Sequence, residues 1–314
     1  MSRKHLFGPV PSRRLGLSLG VDLVPHKTCS LDCIYCESGA TTRHTIVRDE
    51  YVPTDAVLAE LEDYLRSSPP LDTVTFSGAG EPTLHRDIGR IIGFVKQRWP
   101  EYRLALITNG TLLHDAVLRA SLAGLDLILP SLDAVSPEVF RRLNRPAPGL
   151  TVELLLDGLC AFRREHDIEM WLEVFLVAGV NDTEHELALL REAITRVAPH
   201  RVQLNTLDRP GAEDWVRPVS SERLQEIAQA WRPLQVEVIA RSPEKTAGVS
   251  VADLDEAIVG MVERRPCTTA DLAAGLGVPV ATVERAVKIL VRARRLEAVE
   301  GERGVFYRQR PQRR

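Results

Sequence analysis

The sequence contains few cysteines and no long apolar run. Five cysteines in 314 residues, three of them within one short segment, are not typical of a disulfide framework. No apolar run approaches the roughly 18 residues that a membrane-spanning helix needs. The basic N-terminus is interrupted by prolines and arginines and lacks the apolar core of a signal peptide. These absences predict a protein without a membrane partner in a reducing, cytoplasmic location.

A second cysteine pair is also missing, and no internal repeat is found. Structural zinc sites prefer four ligands in paired Cys-x2–4-Cys spacing, so this absence argues against such a site. Cys160 and Cys267 are isolated and are predicted to be small buried residues. The length predicts about two domains.

Cys29, Cys33 and Cys36 form the pattern Cys-x3-Cys-x2-Cys directly after an alternating apolar run at residues 17–24. Thiolates are soft ligands that suit iron–sulfur clusters, zinc or copper(I). Three thiolates on one loop can bind three irons of a [4Fe–4S] cube and leave the fourth iron without a protein ligand. An open coordination position is typical of a site that performs chemistry. An iron–sulfur cluster is therefore the first interpretation, with zinc or no metal as alternatives.

Residues 17 to 238 alternate short apolar runs with helical-period stretches, a pattern typical of βα units and a parallel sheet. Strands are predicted at 17–24, 73–77, 103–108, 125–131, 169–177 and 201–205. Helices are predicted at 55–66, 87–98, 112–123, 151–165 and 184–198. Thr54 is the expected cap of the first helix, and Thr183 with Glu186 has a capping-box pattern. The fold class is therefore α/β, either an incomplete (β/α)6 barrel or a doubly wound sheet.

The pattern changes at residues 241–250, which contain Pro243 and Gly248 and no apolar period. This segment is the predicted linker between a domain at 1–240 and one at 251–314. Three apolar helical stripes follow it, and Thr268 with Asp271 marks the start of the second helix. Two alternating runs then surround residues 300–304. This order resembles a winged helix-turn-helix domain.

A glycine-rich segment at residues 76–83 follows the second predicted strand. Ligands of parallel α/β folds bind beyond the carboxyl ends of the strands, where the cysteines are also expected. Gly78 and Gly80 allow the backbone to approach a ligand closely, and Glu81 supplies an acceptor for an ammonium group. The alternative is that this glycine-rich segment is an ordinary β-to-α turn without a ligand.

The cysteine pattern, with Tyr35 before the third cysteine, resembles the radical S-adenosylmethionine (SAM) superfamily, and this resemblance favours the partial barrel. It implies that Cys29, Cys33 and Cys36 hold a [4Fe–4S] cluster that cleaves SAM to a 5′-deoxyadenosyl radical. A flavodoxin- or ferredoxin-like electron donor is the implied partner. The cofactor-binding residues that the resemblance implies are Tyr35, Gly78, Gly80, Glu81, Thr108, Asn109, Ser131 and Asp133.

Residues 7–240 resemble, more narrowly, uncharacterised relatives of the wyosine-base synthases, radical SAM enzymes that rebuild a guanine in tRNA. Those synthases carry further cysteines upstream for a second cluster, whereas no cysteine precedes Cys29 here. Tricyclic-base synthesis is therefore not expected. Asn205 and Arg209 end the sixth strand on the expected substrate side, and Arg209 is expected to pair with an anionic substrate or with Glu213 or Asp214.

In the C-terminal domain, Arg285, Lys288 and Arg292 lie on the helix face opposite its apolar stripe, and Arg303 lies on the predicted wing. A recognition helix uses such a face to bind nucleic acid, whereas many winged helices bind a protein or the host domain of their own chain; both alternatives stay open. The leading functional interpretation is a radical SAM oxidoreductase acting on RNA, a peptide or protein, or a metabolite, in that order. The alternatives are an iron–sulfur transcriptional sensor that binds DNA and a glycyl-radical enzyme activase.

Overall fold

The computed structural model of the protein describes residues 4–12, 14–239, 254–301 and 303–310. The predicted linker lies outside these residues. The strands are β1 (Leu6–Ser12), β2 (Gly16–Val21), β3 (Thr28–Cys29), β4 (Arg43–His44), β5 (Thr73–Phe76), β6 (Arg103–Thr108), β7 (Leu127–Pro130), β8 (Glu169–Leu176), β9 (Arg201–Thr206), β10 (Val236–Val238), β11 (Leu296–Gly301) and β12 (Gly304–Gln309). The helices are α1 (Thr54–Leu65), α2 (Ile88–Arg98), α3 (Ala116–Ser121), α4 (Pro137–Leu143), α5 (Val152–Glu165), α6 (Glu184–Val197), α7 (Ser221–Ala230), α8 (Leu254–Arg264), α9 (Thr269–Leu276) and α10 (Val280–Arg292).

Eight strands form one mixed sheet in the order β1-β2-β5-β6-β7-β8-β9-β10. All neighbours are parallel except β1, which runs antiparallel to β2. The six predicted strands are confirmed, and β1 and β10 at the two edges were missed. Strand β1 contains Pro9 and Pro11, which the sequence pattern reads as breakers but which an edge strand tolerates.

Both faces of the parallel strands are covered by apolar side chains. Leu104 and Leu106 of β6 belong to the main core, which the flanking helices cover, whereas Ala105 packs with Leu127, Leu129 and Trp171 on the other face. Successive side chains of a strand point to opposite faces. The continuous apolar runs in the sequence are therefore explained by burial on both sides.

The five predicted helices of this region are present, with α3 shorter than expected and α4 and α7 missed. Helix α1 begins at Thr54 itself, after Pro53. The capping box at α6 is half formed: Thr183 accepts a hydrogen bond from the Glu186 N–H, but the Glu186 carboxylate accepts from Val135 N and Ser136 instead. Glu186 thus ties α6 to the loop before α4.

The C-terminal unit (residues 254–301 and 303–310) consists of α8, α9, α10 and the antiparallel hairpin β11–β12. This is the order of elements that the sequence predicted. The unit has its own apolar core, to which Leu272, Val283 and Leu290 contribute. Thr268 and Asp271 form a complete capping box at α9. No helix within the described residues is long and apolar enough to cross a membrane.

Candidate functional site

The parallel strands bring their carboxyl ends, and the loops that follow them, to one edge of the sheet. The cysteine loop (residues 25–42) follows β2, and the glycine-rich segment (residues 77–83) follows β5. Thr108 ends β6, Ser131 and Asp133 follow β7, and Asn205 lies near the end of β9. The residues predicted to form the site therefore lie along this edge.

Backbone hydrogen bonds join the cysteine loop to the glycine-rich segment. Lys27 N donates to Ala79 O at 2.8 Å, and Glu81 N donates to Thr28 O at 3.0 Å. A Cβ atom at Gly80 would lie 2.4 Å from Thr28 O, closer than van der Waals contact permits. Gly80 is thus required for the packing of these two segments.

A glycine is also required at position 78, for two reasons. Its φ is +142°, a conformation that side-chain-bearing residues rarely adopt, and a Cβ atom there would meet the Asp22 carboxylate at 1.6 Å. Asp22 follows β2 and forms an ion pair with Arg264 of α8 at 3.1 Å. The glycine-rich turn therefore also leaves room for a contact with the C-terminal unit.

Each of the three cysteine sulfurs has a side-chain N–H donor. The pairs are Lys27 Nζ with Cys36 Sγ at 3.0 Å, Asn144 Nδ2 with Cys33 Sγ at 3.4 Å, and Asn109 Nδ2 with Cys29 Sγ at 3.5 Å. Hydrogen bonds to sulfur stabilise thiolate and adjust the properties of a bound cluster. Asn144 was missed by the sequence reasoning, because only the fold brings the end of α4 beside Cys33. Lys27 was also missed, although it lies in the cysteine loop, because the sequence does not show where its side chain points.

Burial raises the pKa of Cys29 to about 12, with the nearby Glu81 carboxylate adding to the effect. Burial, followed by the Asp133 carboxylate, also raises the pKa of Cys33 well above its usual range. Free thiols at these positions are protonated at neutral pH, so thiolates here require a bound metal. No group of three His, Cys, Asp or Glu side chains in the described segments is arranged to hold a single metal ion. Cluster ligands each bind a different iron.

The Glu81 carboxylate is buried and joins two loops. Its Oε1 accepts hydrogen bonds from Thr83 N at 3.0 Å, Thr83 Oγ1 at 2.6 Å and Thr108 Oγ1 at 2.7 Å. Its Oε2 accepts from Asn109 N at 2.8 Å. Burial raises the pKa of Glu81, and the hydrogen bonds oppose that rise. Oε2 accepts one hydrogen bond from the described residues, against three at Oε1, so Oε2 retains capacity for a further donor.

Tyr35 and Asp133 are bonded to each other. The Tyr35 ring stacks on Phe175 with centroids 4.0 Å apart, and its hydroxyl donates to the Asp133 carboxylate. Asp133 also accepts from Asn144 Nδ2 and Phe175 N, both at 2.9 Å. Burial raises the pKa of Asp133 to about 6, and these hydrogen bonds oppose the rise. The two residues thus fix the cysteine loop against β8.

Two further residues that were predicted for the site, Ser131 and Asn205, make other contacts. Ser131 is partly buried, and its N–H donates to Thr108 O at 3.1 Å. Asn205 Nδ2 lies 3.5 Å from a Glu173 carboxylate oxygen, and Arg14, not predicted, forms an ion pair with the same carboxylate.

Arg209 differs from expectation. Its buried guanidinium pairs with Asp271 of α9, donates to Pro266 O at 2.7 Å and lies 3.7 Å from the Glu37 carboxylate. Neither Glu213 nor Asp214 is its partner. These contacts attach the guanidinium to the C-terminal unit and do not present it to an open substrate side.

Arg303, on the predicted wing, contacts α9 of its own unit and the loop after β9. It donates to the Asp271 carboxylate at 2.9 and 3.0 Å and to Asp208 O at 3.1 Å. Although burial opposes it, hydrogen bonds from Arg303 and the charge of Arg209 lower the pKa of Asp271 to about 2. The C-terminal unit is therefore docked beside the cysteine loop through Asp271.

The predicted basic face of α10 stays exposed. Arg285, Lys288 and Arg292 are exposed and, within the described residues, form no ion pair with a carboxylate. Val283 and Leu290 on the opposite side are buried. The exposed Glu284 lies among the basic residues.

Known proteins share parts of this sequence and fold. The model of the radical SAM superfamily matches residues 23–191, more than half of the chain, and the chain belongs to this superfamily. Within it, the chain is similar to UPF0026 proteins. The one from Methanocaldococcus jannaschii is 31% identical over 77% of this chain and 74% of that protein. The one from Helicobacter pylori strain J99 is 30% identical over 85% of this chain and 87% of that protein.

Two further similarities are more limited. A protein named GTPase Obg from Brachyspira hyodysenteriae is 33% identical over 93% of this chain, but the chain spans only 43% of that protein. The solved structure of a radical SAM methyltransferase from Sphaerobacter thermophilus matches with a TM-score of 0.52 and 20% identity, over 70% of this chain and 66% of that chain. Streptococcus suis SuiB bound to SAM matches with a TM-score of 0.52 and 14% identity, over 70% of this chain and 49% of that chain. These two structures show the shared α/β radical SAM fold.

Radical SAM proteins use a [4Fe–4S] cluster and SAM, and these are the cofactors of this family. The donor set fits the cluster, because three cysteine sulfurs on one loop are each approached by an N–H donor. Cys160 and Cys267 are buried as predicted and lie in other elements, α5 and the loop before α9.

Proposed function

We propose that the protein reductively cleaves SAM at a [4Fe–4S] cluster held by Cys29, Cys33 and Cys36, and that the resulting 5′-deoxyadenosyl radical acts on an RNA substrate. The observation that supports this most directly is the cysteine loop, whose three sulfurs have N–H donors and whose backbone is joined to the glycine-rich segment. The bound cofactors supply the electron transfer and the radical.

The chain's own residues bind and orient these cofactors. Glu81 is proposed to accept a hydrogen bond from the SAM ammonium through Oε2. It lies in the segment of Gly78 and Gly80, where neither glycine has room for a Cβ atom. The rest of SAM is proposed to contact Thr108, Asn109, Ser131, Asp133 and Tyr35. A flavodoxin- or ferredoxin-like protein is the proposed electron donor. The mixed sheet is proposed to form the partial (β/α)6 barrel that surrounds the substrate.

The C-terminal unit is proposed to be a winged helix-turn-helix domain at residues 251–314 that presents RNA to the site. One support is the exposed basic face of α10, formed by Arg285, Lys288 and Arg292. The other is that the unit docks close to Asp22 and Glu37, which precede and follow the three cysteines. Unpaired basic side chains on an exposed helix face bind phosphate. A peptide or a metabolite is the next substrate class if this face binds no RNA.

The same basic face favours one second candidate, an iron–sulfur sensor that binds DNA. A sensor has no need of SAM, so the joined cysteine and glycine-rich segments favour the enzyme. One experiment separates the two functions. Reconstituted protein is incubated anaerobically with SAM and dithionite, and 5′-deoxyadenosine is measured; slow formation without substrate is expected. Intact SAM under these conditions would favour the sensor.

A further inference from the structure

Lys27 is a buried lysine at the start of the cysteine loop. Its side chain is almost inaccessible to solvent, at 3% exposure. Its backbone has a φ of 57° and is fixed by hydrogen bonds: the N–H donates to Ala79 O at 2.8 Å, and its carbonyl oxygen accepts from Thr42 N and Arg43 N, both at 3.0 Å. The position of the side chain is therefore set by the loop and by the glycine-rich segment together.

The ammonium group of Lys27 faces the cysteines. Nζ donates a hydrogen bond to Cys36 Sγ at 3.0 Å. Within the described part of the chain, no carboxylate forms an ion pair with it, and the hydrogen-bond partner of Nζ is Cys36 Sγ. A buried ammonium without a counter-charge is costly. Neutral thiols do not supply that charge, whereas cluster-bound thiolates do.

We propose that Lys27 is a positioning residue for the cluster, whose fixed positive charge and hydrogen bond to Cys36 Sγ stabilise the reduced cluster and set its reduction potential. This inference rests on the proposed function. The step is the transfer of one electron from a reduced flavodoxin- or ferredoxin-like donor, or from dithionite in the test, to the oxidised cluster; the cluster gains one negative charge and the donor is left oxidised. Lys27 keeps its proton throughout. A nearby cation and a hydrogen bond to sulfur both favour the more negative state.

The test compares reconstituted full-length variants. Lys27→Met removes the charge and the donors at similar side-chain length, and Lys27→Arg keeps both. Lys96→Met is the matched control, because Lys96 pairs with Asp126 at 2.6 Å near the opposite ends of the strands. Each variant is assayed for iron and titrated anaerobically with dithionite in the presence of redox mediators, and the reduced cluster is quantified by electron paramagnetic resonance.

The reduced-to-oxidised ratio at a fixed solution potential is expected to fall about ten-fold in Lys27→Met, equivalent to about 59 mV for a one-electron couple. Lys27→Arg should stay within about three-fold of the wild type, and Lys96→Met should match it. If Lys27→Met loses iron and Lys27→Arg retains it, the charge is needed to hold the thiolates, which supports the inference.

Three results would overturn the inference. One is a Lys27→Met protein with a full cluster and the wild-type ratio. Another is equal change in Lys27→Met and Lys27→Arg, including loss of iron in both, since this would show a packing effect and not one of charge. The third is a wild-type protein that takes up no cluster, which contradicts the proposed function too and is seen before any variant is compared.

Discussion

The Asp271 carboxylate of α9 and the Arg209 guanidinium of the loop after β9 form a buried ion pair. The pair joins the C-terminal unit to the part of the molecule that carries the cysteine loop, because Arg209 also lies 3.7 Å from Glu37, directly after Cys36. Arg303 completes the group by donating two hydrogen bonds to Asp271. An arginine at the end of a strand thus has a structural role that its sequence position does not reveal.

Asp271→Ala is expected to destabilise the protein by about 3–5 kcal/mol, since it leaves two arginines without their buried partner. The matched control is Glu184→Ala, whose exposed pair with Arg223 is worth at most about 1 kcal/mol. Urea unfolding at pH 7, followed by circular dichroism, measures both. Equal stability of the two variants would contradict a role for the pair in docking.

The same carboxylate predicts a pH dependence. The pKa of Asp271 is lowered to about 2 in the folded protein, below the unfolded value of about 3.9. Its contribution to stability is therefore complete above the unfolded pKa and is lost as the pH falls from about 4 toward 2. The difference in unfolding free energy between the wild type and Asp271→Asn should shrink over that interval. A difference independent of pH between 5 and 2.5 would contradict this assignment.

Replacement of Cys29, Cys33 and Cys36 together by alanine is expected to abolish iron binding. The wild type should take up about four irons per chain on anaerobic reconstitution and show the absorbance of an oxygen-sensitive [4Fe–4S] cluster. Cys160→Ala is the control and should keep the full iron content, because Cys160 is buried in α5. A colourless wild-type protein that binds zinc alone would refute the cluster.

Glu81→Gln is expected to weaken SAM binding by about ten-fold or more, because it removes a charged acceptor for an ammonium group at a buried position. The amide keeps the length and shape of the side chain, but its NH2 group cannot accept the hydrogen bond from Asn109 N–H, so iron content and thermal unfolding are measured alongside SAM binding. Equilibrium binding of SAM to the reconstituted, oxidised protein measures the effect. The exposed Glu153→Gln provides a control, and equal affinity in both variants would remove Glu81 from the SAM site.

Gly80→Ala is expected to disturb the cysteine loop, because the added Cβ would lie 2.4 Å from Thr28 O. The loss should be about 1–3 kcal/mol of stability, together with a lower iron content. Gly93→Ala is the matched control: no atom lies within 4 Å of its Cβ position, and alanine in helix α2 should stabilise by up to about 1 kcal/mol. Thermal unfolding and iron analysis measure the stability and the iron content of both variants. Equal values in the two would contradict the expected clash at Gly80.

Arg285, Lys288 and Arg292, replaced together by alanine, should reduce binding of total cellular RNA. If each contacts one phosphate, the slope of log affinity against log salt should become shallower by about 2–3. The control replaces Arg66, Arg141 and Arg142, which are exposed in the other part of the chain. Gel shifts with RNA and with duplex DNA at several salt concentrations measure the slopes. No retention of either by the wild type at low salt would eliminate the nucleic-acid role.

The local pattern of the sequence determined much of this protein. The spacing of Cys29, Cys33 and Cys36, and the apolar runs that become β2, β5, β6, β7, β8 and β9, are properties of short segments, because strand burial and ligand spacing are set within a few residues. The capping pair Thr268–Asp271 is likewise local and was predicted and observed.

Only the tertiary structure decided which distant groups meet. Asn144 donates to Cys33 Sγ, and Tyr35 bonds to Asp133, because parallel strands carry widely separated loops to one edge of the sheet. Lys27 and Cys36 belong to one loop, but the contact between them depends on how that loop folds. Arg209 pairs with Asp271 because the packing of the C-terminal unit against the rest of the chain buries the two charges together. A sequence pattern shows that a guanidinium is present, but its partner depends on which surfaces are buried together.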